Sequence, residues 1–152
     1  MSTVVVAGLV AHAAPARAAE LYAQLFPLTG EIRLLSKDAA PVPFVFYSIT
    51  SAAGALDGSS VVWNSIADHY DVSGNSLIDP NHEWFKLSDD PSELTEAVFT
   101  GPGGSLPPMR AISLGQIWNP AAADPFLDLE FDFRDDEQSI PVTIELAIDG
   151  DY

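Results

Sequence analysis

The chain predicts an all-β fold, an antiparallel β-sandwich of jelly-roll type, on three observations. Near the end, Leu127, Leu129, Phe131 and Phe133 alternate with Asp128, Glu130, Asp132 and Arg134, and Ile140, Val142, Ile144, Leu146 and Ile148 alternate with more polar residues. That period of two puts one face of a strand in a core and the other in water. Earlier, Phe44-Val45-Phe46-Tyr47-Ser48-Ile49-Thr50-Ser51 is apolar on both faces, as a covered central strand should be. Turn-forming residues punctuate the chain at short intervals and leave little room for helix.

The elements follow in order. Residues 1–18 hold the apolar run Val4–Val10 and then Ala16-Arg17-Ala18, a small-x-small cleavage pattern. They read as a secretory signal peptide, with the mature chain starting at Ala19. If retained, the uncharged segment Thr3–Val10 has the composition of a strand that pairs with an open sheet edge, even on a neighbouring molecule. Residues 19–152 read as a single β-sandwich domain. Residues 21–26 and 31–35 alternate around Pro27-Leu28-Thr29-Gly30, a hairpin. After the central run, residues 64–82 are irregular and rich in turn residues, with a turn of helix expected over 64–70. Glu83–Leu87 and Leu94–Phe99 read as strands, with helix a competitor over 92–97 because Ser92-Glu93 resembles a helix start. Gly- and Pro-rich residues 101–108 break the chain before the short strand Ala111–Gly115. The two late strands flank a hairpin loop, Asp135–Gln138.

Several segments, in this order, resemble a module of secreted planctomycete proteins that often carry dockerin-like or PEP-CTERM sorting regions. They are Thr29–Leu34, Tyr47–Leu56, Trp63–Asp68, Glu83-Trp84, Leu94–Glu96, Ser113–Gly115 and Leu127–Phe131. The resemblance implies export and a β-sandwich, and it brings no catalytic residues.

Composition narrows the function classes. With 22 acids against 6 bases, the formal charge of −16 repels the phosphates of nucleic acid and of anionic membranes. No apolar run is long enough to span a bilayer as a helix. The 152 residues contain no cysteine, so the fold is held without disulfides or thiolate-bound metal.

Four patterns carry candidate chemistry. Asp71, Ser73, Asn75 and Asp79 place oxygen ligands within one loop, as Ca²⁺ requires. However, Gly74 is misplaced for a calcium loop of the EF-hand kind, and His82 stands where its last carboxylate belongs. The competing reading is an Asx-rich loop that satisfies its own backbone. Trp118, Trp84 and Trp63 form a candidate platform for sugar rings, with Trp118 the most exposed; the alternative is burial. Asp124, Asp128, Glu130, Asp132, Asp135, Asp136 and Glu137 form an acidic tract. As a wet strand face it lacks the shielded cleft that a glycosidase acid needs. His69 and His82 flank the irregular loop with no metal-ligand spacing, His12 lies in the leader, and no Ser-His-Asp arrangement is visible.

These features point to a non-enzymatic extracellular protein with a structural or adhesive role in a surface layer, matrix or fibre, able to self-associate into filaments by strand addition. The alternative is a carbohydrate-binding module whose partner is a polysaccharide. Cleavage after Ala18 predicts that N-terminal sequencing of native protein returns Ala19 first; a native chain starting at Met1 would sink the leader reading.

Overall fold

A computed structural model describes residues 19–122, 124–136 and 138–147. The leader or pairing strand at residues 1–18, His12, Glu137 and Ile148 lie outside the described residues.

β1 (Leu21–Phe26) and β2 (Glu31–Ser36) form the expected hairpin. Its turn ends on Gly30 at φ +74°, where a Cβ would stand 1.8 Å from the Trp118 carbonyl oxygen, so only glycine fits. β3 (Val42–Phe44) and β4 (Phe46–Ser51) follow, then a one-turn helix α1 (Ile66–His69) with Ser65 as its cap. β5 (Phe85–Asp90), β6 (Glu93–Ala97), β7 (Gly104–Leu106) and β8 (Ala111–Gly115) complete the middle of the chain. A second short helix, α2 (Pro125–Asp128), leads into β9 (Leu129–Arg134), β10 (Ser139–Ile140) and β11 (Val142–Leu146).

The chain is an all-β sandwich. One sheet has the order β11-β1-β2-β8, the other β10-β9-β4-β6-β5, and β3 and β7 make a small third pair. Every pairing is antiparallel except β1 with β11. The inner faces share one core, with Leu21, Leu25, Ile32 and Leu34 from the first sheet and Tyr47, Ile49, Leu94 and Phe133 from the second. Tyr47 stacks on Phe133 at 5.3 Å between ring centres, and Phe44 meets Trp84 and Phe133 at 5.3 and 5.7 Å.

Four expectations change. The run 44–51 is indeed central, since β4 lies in the middle of the five-stranded sheet, but it is two strands. At Val45 the chain leaves β3's partner and turns into the larger sheet, with its N–H donating to the Arg134 carbonyl at 2.8 Å. Phe44 and Tyr47 are therefore buried, and Phe46 moves to the outer face. The last run also divides: β10 pairs β9, β11 pairs β1, and Pro141, which has no N–H to give to either ladder, marks the crossing. Leu127 belongs to α2 and is 87% exposed, so the alternation of β9 begins only at Leu129. Finally, the strand expected at Leu94–Phe99 is a strand and not the competing helix, but it runs Glu93–Ala97, and the strand expected at 83–87 runs Phe85–Asp90.

Phe133 is fully buried under two aromatic neighbours, so Phe133→Ala should lower unfolding free energy by about 3–5 kcal/mol in denaturant titration. Leu127→Ala in the same experiment should cost less than about 0.5 kcal/mol.

Candidate functional site

β6 turns Leu94 inward by its period of two, and the same period turns Glu96 inward. A buried carboxylate needs partners, and Glu96 has three. The Ile66 and Ala67 N–H groups at the start of α1 donate to it at 2.8 and 2.9 Å, and the Tyr47 hydroxyl donates from β4. Burial nevertheless raises the Glu96 pKa above its ordinary value, against the hydrogen bonds from Tyr47, Ala67 and Ile66 and the charge of Lys86. Burial, then the neighbouring Glu96 charge, pushes the Tyr47 phenol well up, so it stays a donor. Lys86 closes the group from outside: it pairs with Asp68 and sits 4.9 Å from the centre of the Trp63 ring. The arrangement clamps α1 to the sheet, and the carboxylate is sealed from substrate.

Asp71 and Asp79 do the same for the irregular loop. Asp71 accepts the N–H groups of Ser73 and Trp84, both at 2.8 Å. Asp79 Oδ1 accepts those of Asn81 and His82 at 3.0 and 3.1 Å and lies 3.3 Å from the His82 ring nitrogen. Ser73 and Asn75 are exposed, and Asn75 accepts the Leu77 N–H at 2.9 Å. The calcium candidates Asp71, Ser73, Asn75 and Asp79 thus make a loop that hydrogen-bonds itself. Among the described residues no three acidic or histidine side chains gather in one place. His82 rests on Asp79, and His69 lies exposed beside the Tyr70 ring.

The acidic tract does not line one face. Asp128, at the end of α2, is buried and accepts the Ser51 hydroxyl at 2.5 Å and the Ala53 N–H at 2.6 Å. Asp124 caps α2 through the Phe126 N–H at 3.0 Å. Glu130 and Asp132 lie on the outer face of β9, opposite Thr50 and Ser48 of β4, with Asp132 paired to Arg134. Asp135 accepts the Gln138 N–H at 2.7 Å in the hairpin, and Asp136 is exposed.

The three tryptophans are buried, with 0% of Trp63, 2% of Trp84 and 4% of Trp118 exposed, so they offer no flat sugar platform. Each seats a crossing loop on the core. Trp63 pairs with Gly115, Trp84 packs on Phe44, and Trp118 bridges to Leu56 while its backbone N–H donates to the Gly30 carbonyl at 3.1 Å. Trp118 still borders a surface hollow of about 560 Å³ that also involves Pro27, Asp124, Phe126 and Leu146. Phe126 is 54% exposed there, and no motif in the sequence marks it as a site residue. Glu96 was more legible: it follows Leu94 and precedes Val98 at core-facing spacing, and an acid in that position needs buried partners.

Glu96→Ala would leave the Tyr47 hydroxyl and two backbone N–H groups without their acceptor, at a cost of about 3 kcal/mol or more in unfolding free energy. Because the folded state holds the Glu96 proton more tightly than the unfolded chain, its contribution to stability is full below the ordinary carboxylate value of 4.5 and falls as pH rises through the raised folded value. Glu96→Gln should flatten that dependence in unfolding measured across pH.

No protein-family model, curated protein or solved structure matches the chain, and the functional reading rests on the geometry above.

Proposed function

We propose that this protein is an extracellular structural or adhesive β-sandwich that acts by association within a surface layer, matrix or fibre, and not by catalysis. One observation carries the reading. Among the described residues the four buried carboxylates, Asp71, Asp79, Glu96 and Asp128, all accept backbone N–H groups of loops or turns. They stiffen a scaffold that has no disulfide, as a load-carrying module outside the cell requires. The −16 charge keeps such modules apart except where their surfaces fit. Self-association by strand addition supplies the assembly, since backbone ladders join copies without needing large apolar patches.

The alternative is glycan binding at the hollow where Phe126, Asp124 and the border of Trp118 meet, an exposed aromatic ring beside a carboxylate. Fractionation of native cells should recover the protein in the surface or medium fraction, and light scattering of that material should show assemblies larger than one chain. Intracellular, strictly monomeric protein overturns the structural reading. Saturable binding on a glycan array that is lost in Phe126→Ala would favour the alternative. Trp118→Ala is unsuitable for that test, because Trp118 is core.

A further inference from the structure

We infer that a second copy of this chain pairs with the free edge of β11, antiparallel, about a twofold axis at Ile144. This deepens the self-association in the proposed function and rests on that reading.

Among the described residues β11 pairs only with β1. The Leu21 N–H donates to the Pro141 carbonyl at 3.0 Å and the Ala147 N–H to the Leu25 carbonyl at 2.8 Å. Backbone groups alternate sides along a strand, so Thr143 and Glu145 also face β1, while the N–H and C=O groups of Val142, Ile144 and Leu146 point away from it. The other edges are guarded. β5 carries a register break between Lys86 and Ser88 and ends on Asp89-Asp90. β8 is closed where the Asn64 N–H donates to the Leu114 carbonyl at 2.9 Å and Trp63 bridges Gly115. β10 is 2 residues long. β3 contains Pro43, and the Ser105 N–H of β7 is taken by the Ile78 carbonyl at 2.9 Å. β11 has no bulge, no proline and no lysine, the devices that normally keep an edge from pairing.

Its inner face is also incompletely covered. Val142 and Ile144 are half-buried, and Leu146 is 48% exposed at the rim of the hollow with Phe126. The strand is close to palindromic in pattern, apolar-polar-apolar-polar-apolar, which suits a self-complementary contact. With the axis at Ile144, Ile144 meets the partner's Ile144 and Val142 meets the partner's Leu146. The outward N–H and C=O groups of those three positions then pair with one another. Thr143 meets the partner's Glu145. Glu145 is the one charged residue of β11 and is held by Lys37 at 2.5 Å, so no like charges face each other across the axis of a chain at −16. The joined sheets would have eight strands, twice the order β11-β1-β2-β8.

The test is sedimentation of the full chain by analytical ultracentrifugation over a range of concentrations, with amide exchange read at Val142, Ile144 and Leu146. The expected result is a concentration-dependent dimer in which those three amides slow. Leu146→Lys should weaken the dimer at least about tenfold. Thr143→Glu should weaken it by setting like charges opposite each other, while Thr143→Lys should not. Unfolding of each variant at monomeric concentration separates these effects from loss of the fold, since Thr143 also donates to Glu20 at 2.8 Å. A monomer with fast exchange at all three positions overturns the inference. So does protection that is independent of concentration and lost in Val5→Asp, which would make the chain's own N-terminal segment the occupant. Assemblies that form while β11 exchanges fast also overturn it, but they leave the proposed self-association standing.

Discussion

The Glu96 carboxylate ties the entry of α1 to two neighbouring strands of the larger sheet. It belongs to β6, it receives the first N–H groups of α1, and it holds the Tyr47 hydroxyl of the central strand β4. A buried backbone donor without an acceptor costs more than a typical hydrogen bond gains, so a loop can cross a core edge only where something receives its N–H groups. Glu96 supplies that acceptor for the segment entering α1. Trp63 and Ile66, which flank this entry, can then be fully buried.

The same constraint explains the other buried acids. Asp71 receives the N–H of Trp84, and Trp84 packs on Phe44, so the irregular loop and the core set each other's position. Asp128 receives the turn after β4 and thereby fixes where β9 begins beside it. Carboxylates do the latching in this chain, which has no cysteine and therefore no disulfide. The cost is desolvation, visible in the raised pKa of Glu96, and the gain is a set of loops that cannot slide.

A scaffold of this kind has its freedom at the surface. The outer face of β9 carries Glu130 and Asp132, and the strand edges differ sharply in how they are closed. The five-stranded sheet ends in a broken register on one side and a very short strand on the other. The four-stranded sheet ends in a regular strand whose apolar face is only partly covered.

Side-chain period alone determined the fold class, the β1–β2 hairpin, β8 and the inward parity of β9, because alternation is local and each run is long enough to show it. The burial of tryptophan and the self-bonding of the Asp71–Asp79 loop were present in the sequence as competing readings, since residue type favours them but does not select them. Only the tertiary structure decided where a run changes sheet. Phe44 through Ser51 and Ile140 through Leu146 are continuous in hydrophobicity, yet Val45 and Pro141 divide them, because sheet membership depends on which distant strand offers hydrogen bonds. Only the tertiary structure placed Asp128 inside and Leu127 outside, reversing their sequence parity, because α2 turns the chain by helical steps of about 100° per residue until Leu129. The partners of Glu96 come from positions 29, 30 and 49 residues away, and no local pattern in the chain contains those distances.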